Sequence, residues 1–258
     1  MNNQVLNTKY DTQRSAEPAS EIRDTNDEKG FSLMEVLLAV GILAMGMLFI
    51  AGVFPVSIHF TTVASERTIA ATVADEAFAK IKLYGAPVGL NDVNQIPYDL
   101  LPALVGEYAY PSTPTTNPNT KKYWWAAICR RVGPADVQVT VFVSRKAGTG
   151  TVYLGPLGPG AVRPYAYRVP VTLIGNDLQI TNPAQKALIN DGYTIVDNKT
   201  GGIYRVLERY GVNLDFLRLN ESWQGGTVNL SVWVIPPPSS AGGGRYPCIA
   251  VYQKVIRF

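Results

Sequence analysis

The stretch Lys29-Gly30-Phe31-Ser32-Leu33-Met34-Glu35 runs directly into Val36-Leu37-Leu38-Ala39-Val40-Gly41-Ile42-Leu43-Ala44-Met45-Gly46-Met47-Leu48-Phe49-Ile50-Ala51-Gly52, and its reading decides the fold. A small residue stands at a polar-to-apolar boundary, and one acid is isolated in hydrocarbon. From Phe31 to Ser65, Glu35 is the sole group expected to be ionised. About 20 apolar residues in helical form cross a bilayer, so residues of about 31–54 are predicted to be a transmembrane segment. A carboxylate there is expensive, and an intramembrane ionisable residue is by default a functional one whose partner has to be named.

Upstream, residues 1–28 are polar and poor in apolar side chains, a composition that reads as disordered. Before Lys29 the segment is acidic, with Glu17, Glu21, Asp24, Asp27 and Glu28 among its charges. A secretory signal peptide has a shorter apolar region that ends in a small-residue cleavage site. Here the run is too long, and the Gly and the acid precede it. Downstream, Pro55 removes a helix hydrogen bond and predicts a kink. From about residue 64 to 84, Ile69, Val73, Ala77 and Ile81 recur every four residues with charges between them, an amphipathic helix. Gly85-Ala86-Pro87 supplies the stop.

Gly30 followed by Phe31, with Glu35 five residues after the Gly and then an uncharged run, resembles the type IV pilin family, including the pseudopilins of type II secretion. The resemblance implies that residues 1–30 are a leader removed after Gly30 by a membrane-embedded prepilin peptidase. It also implies N-methylation of Phe31 and assembly with other pilin or pseudopilin subunits into a filament, no longer held in inner-membrane lipid. The family's matching acid attracts the terminal amine of a neighbouring subunit, which gives Glu35 its partner. An N-terminus in the cytoplasm and a domain outside are implied too, although the leaders of the family are usually short and basic and this one is not. Major pseudopilins resemble one another in an acid-rich calcium loop near the C-terminus. Here the last acid is Glu221, so no metal site is expected, and the large domain suggests a minor pilin or minor pseudopilin. Tip subunits often lack the acid, which places this chain inside a filament.

Past a Pro-, Asn- and Thr-rich connector at 85–120, the apolar period changes from 3.6 to 2. Val137, Val139, Val141 and Val143 alternate with polar or outward positions, as do Val228, Leu230, Val232 and Val234. Tyr123–Arg131, Tyr165–Leu173, Tyr193–Val196, Ile203–Leu207 and Cys248–Ile256 make a set of about seven strands, with Asp197–Gly202 as a hairpin loop. Gly148–Gly160 and Ser239–Gly244 read as flexible connectors without the ending a phosphate loop requires. The fold class is therefore α+β: a long, partly transmembrane N-terminal helix at 31–84 packed on an antiparallel sheet, with a β-rich extracytoplasmic domain at 85–258, pilin-like by resemblance.

Cys129 and Cys248 fit either a single disulfide or two buried thiols. They and a single histidine, His59, lack the spacing of a zinc site. With His59 on the apolar helix, no Ser-His-Asp or Cys-His set can be assembled, so neither an enzyme nor a cofactor is expected. Net charge is +3, from 23 Lys and Arg against 20 Asp and Glu, too balanced for a nucleic-acid partner. The reading from another class is a bitopic membrane protein whose extracytoplasmic β-rich domain binds a ligand or partner.

Overall fold

A computed structural model describes residues 30–99, 105–112, 120–148, 150–239 and 246–258. The acidic segment 1–28 and all but the first residue of the Ser239–Gly244 connector lie outside the described residues. The chain divides into two units, Met1–Pro55 and Val56–Phe258.

One helix, α1 (Leu33–Tyr84), contributes to both. Ser32 is its N-cap: its Oγ accepts from the Met34 amide at 3.3 Å, and its carbonyl accepts from Glu35 and Val36 at 2.9 and 3.1 Å. The helix continues through Pro55. Just beyond, Thr61 and Thr62 return their hydroxyls to the carbonyls of Ser57 and Ile58 at 2.8 and 2.9 Å, so neither hydroxyl needs water. At the far end Gly85 takes φ +93°, a left-handed turn open to glycine, and its amide closes on Ile81 O at 3.0 Å.

In the second unit the helix buries Ala70, Val73, Ala74, Ala77 and Ile81, a stripe at three- and four-residue spacing. The stripe packs on a five-stranded antiparallel sheet. Its strands are β1 (Ile96–Pro97), β2 (Ala109–Tyr110), β3 (Tyr123–Arg131), β4 (Asp136–Arg145) and, from the end of the chain, Cys248–Arg257. The last strand borders β4, β4 borders β3, and β1 and β2 share the other edge of β3. Trp124, Trp125, Val139, Val141 and Val143 meet the helix stripe in one core. Ion pairs flank it: Glu66 with Arg145, and Lys80 with Glu76 and Glu107, both at 3.2 Å.

The expected single sheet is only half of the β structure. After a small hairpin of β5 (Tyr153–Gly155) and β6 (Gly158–Ala161) come β7 (Tyr167–Ile174), β8 (Asp177–Ile180), β9 (Thr194–Asp197), β10 (Ile203–Tyr210), β11 (Phe216–Leu219) and β12 (Ser231–Val234). These six close into a barrel in the order β10-β11-β8-β7-β12-β9; the final strand, β13, is Cys248–Arg257. The barrel has its own core, with Val169, Leu178, Ile195, Val206, Leu217 and Val232 inside it. A third cluster, with Ile128 and Phe142 from the sheet and Val196 and Trp233 from the barrel, joins the two. The sheet is thus covered on both faces, which explains why β4 is buried continuously from Val139 to Ser144.

Two details depart from the sequence reading, and a third decides between two alternatives it left open. The Gly148–Gly160 connector contains the β5–β6 hairpin. The strand expected from Val228 begins only at Ser231, because Asn229 sits at φ +51° and breaks the extended run. Cys129 and Cys248 do not form a disulfide; both are free and buried. Cys129 lies in the helix-facing core and Cys248 in the barrel-facing cluster. Their strands flank β4 opposite Val139 and Ser144, so the thiols occupy opposite faces and are about five residues apart along the strand, roughly 16 Å.

Candidate functional site: the N-terminal segment

Gly30, Phe31 and Glu35, the residues singled out from the sequence, fall together at the entry to α1. Gly30 and Phe31 precede the helix and are exposed, and Glu35 lies in its first turn. With Ser32 as N-cap, Glu35 is the third helical residue, next to the unpaired amides that make a helix N-terminus positive. The carboxylate therefore has a local electrostatic reason to be there. If the chain began at Phe31, its ammonium would stand at the same positive end, and an acid within one turn is the group that offsets it.

From Phe31 to Phe60 the large apolar side chains are exposed, Phe31 at 80% and Leu48 at 76% among them. By length and composition the helix can cross a membrane. Such a continuous apolar surface, far beyond the scattered exposed residues of a soluble domain, requires lipid or protein around it. The family described as the prokaryotic N-terminal methylation motif matches residues 25–51, which span this turn and most of the apolar run. The chain carries a type IV pilin-like, prepilin-type N-terminal segment. Neither the curated proteins nor the solved structures compared with it gave a match. A prepilin-type segment implies peptidase processing and pilin assembly in general, and an apolar N-terminal helix of this length and composition suits a membrane anchor.

His59 lies further along the same helix, edge-on to Phe60 with ring centroids 6.1 Å apart. Among the described residues no group of three or more His, Cys, Asp or Glu converges. Burial pushes both thiols up to about 12, which makes them poor nucleophiles.

One charged side chain escaped the sequence reading. Arg163 is only 6% exposed, its Cζ 3.8 Å from the ring centroids of both Tyr108 and Tyr165. Burial lowers its pKa, and the two tyrosines oppose that shift. No sequence signal marks it, because the residues around it come from separate segments of the chain.

Proposed function

We propose that this prepilin is cleaved after Gly30, N-methylated at Phe31 and assembled as a subunit of a type IV pilus or a type II secretion pseudopilus. Before assembly the apolar half of α1 sits in the inner membrane, with the N-terminus in the cytoplasm and the β-rich domain outside. On assembly these helices leave lipid and bundle with one another, and Glu35 of one subunit faces the Phe31 amine of its neighbour. At an effective dielectric constant near 20, such a pair at 4 Å is worth about 4 kcal/mol before desolvation. Desolvation removes much of that gain, so the pair sets register while apolar packing supplies most of the cohesion.

The observation that carries this reading is the position of Glu35. It is an acid in the first turn of a helix that is otherwise uncharged as far as Ser65 and exposes its apolar side chains from Phe31 to Phe60, five residues after Gly30 and within the matched motif. Mass spectrometry of protein purified from its native membrane tests it. The reading requires a terminal peptide that begins with N-methylated Phe31, and a mature terminus at any other residue overturns it.

A further inference from the structure

A cavity of about 400 Å³ lies between the sheet and the barrel, within the usual range of small-molecule sites, ~300–1,000 Å³. Tyr98, Tyr165, Tyr167, Trp233 and Ala126 line it together with Arg163. We propose that this cavity binds a small organic carboxylate with a flat apolar body, the carboxylate on Arg163 and the body between the aromatic rings.

The charge balance of the site points to an anion. Arg163 is buried among rings, and among the described residues no Asp or Glu pairs with it. Its Nη1 donates to the Trp125 carbonyl at 3.4 Å, and the two close tyrosine rings offer partial compensation. A guanidinium presents five N–H donors in a rigid fork that matches a carboxylate with two parallel bonds. Among the described residues the hydrogen-bonding partners of Arg163 are the Trp125 carbonyl and the Tyr165 side chain, neither of them charged. A buried cation without a counter-charge is costly, and a bound anion removes the cost.

The number of charges selects the anion. Arg163 is the buried cation of the cavity, whereas Asp99 and Arg168, which also line it, are exposed and of opposite sign. One negative charge is therefore matched, and a phosphate dianion would carry an uncompensated charge into an aromatic enclosure. The lining of three tyrosines and one tryptophan suits a planar apolar body. An occupant would touch β3 at Ala126, β7 at Tyr167 and β12 at Trp233, so its binding would brace the sheet against the barrel. None of this depends on how the N-terminal segment is processed.

The test uses the full chain in an uncharged detergent, with benzoate as the probe and benzamide and inorganic phosphate as controls. Titration calorimetry and intrinsic tryptophan fluorescence, with Trp233 in the cavity wall, should report saturable benzoate binding. The loss of a charge-assisted contact should make benzamide at least about tenfold weaker. The melting temperature should rise with benzoate concentration, as for any ligand that binds only the folded state. Ala166 also lines the cavity, so Ala166→Phe fills it and leaves Arg163 in place; this variant should fold and lose benzoate binding by about tenfold or more. Arg163→Lys keeps the charge without the fork and should bind more weakly than the native chain. No saturable benzoate binding, equal affinity for benzamide, or undiminished binding by a folded Ala166→Phe chain would each overturn the proposal.

Discussion

The indole N–H of Trp233, on the barrel strand β12, donates to Asn198 Oδ1 at 2.7 Å. Both residues are buried, and Asn198 passes the bond on: its Nδ2 donates to Asn94 Oδ1 at 2.8 Å and its carbonyl accepts from the Gln95 amide at 2.8 Å. The tip of the β9–β10 hairpin thereby ties the barrel to the sheet. Asn198→Ala should leave the indole N–H buried without a partner and cost about 1–3 kcal/mol. Chemical denaturation of the two single variants and of the double variant with Trp233→Phe measures it. Removing both partners should cost less than the sum of the two single losses, and strict additivity would show that the bond carries no coupling.

Gly201, three residues further along the same turn, has φ +76°. A Cβ there would lie 2.7 Å from Gln95 Nε2 and 2.9 Å from both terminal atoms of Gln138, while the Gly201 carbonyl accepts from Gln253 Nε2 at 2.9 Å. Gly201→Ala therefore combines backbone strain with a clash at the joint. It should destabilise the domain by about 1–3 kcal/mol, seen as a lower denaturation midpoint. Gly89→Ala, at φ +83° with open space around its Cβ position, should show the strain without the clash and lose less.

The thiols give a pH dependence with a definite sign. Cys129 and Cys248 are pushed up to about 12 by burial, from an ordinary 9.0. Between those values the unfolded chain releases protons that the folded chain retains, so stability is full below about pH 9 and falls as pH rises toward 12. Replacing both residues with Ala should flatten that fall, as read by denaturation across the alkaline range. At pH 8 the native chain should resist alkylation, because the label reaches either thiol only through opening. The denatured chain, without reductant, should take two labels. Fewer than two would restore the disulfide.

Much of this fold can be read from spacing. The acid after Gly30, the four-residue recurrence from Ile69 to Ile81 and the alternation from Val137 to Val143 each record one face of one element against one environment. The barrel is harder to read because its closure depends on pairings that the chain does not announce. Strands β8 and β11 have four residues each, too few for a period to show, yet they bridge β7 to β10. Strand β6 of the small hairpin contains Gly158-Pro159-Gly160, a composition that looks like a breaker. The Arg163 cavity is the extreme case: Tyr98, Trp125, Tyr165 and Trp233 come from four segments, and only the packing of sheet on barrel assembles them.

Glu35 has two roles open to it, and one substitution separates them. As the third residue of α1 it favours the helix N-terminus locally, an effect of about 0.3–1 kcal/mol; as the partner of a neighbour's amine it acts only between subunits. Glu35→Gln keeps the shape and the helix propensity and removes the charge. If the intersubunit pair sets register, the variant should be inserted, cleaved to Phe31 and helical by circular dichroism, yet enter filaments at least about tenfold less, the equivalent of 1.4 kcal/mol. Glu35→Asp keeps the charge on a shorter stem and should assemble to an intermediate degree. Quantitative immunoblotting of sheared filaments, with native and variant chains expressed at equal levels, gives the ratio. Normal incorporation of Glu35→Gln would confine the acid to its own helix and leave apolar packing to set the register.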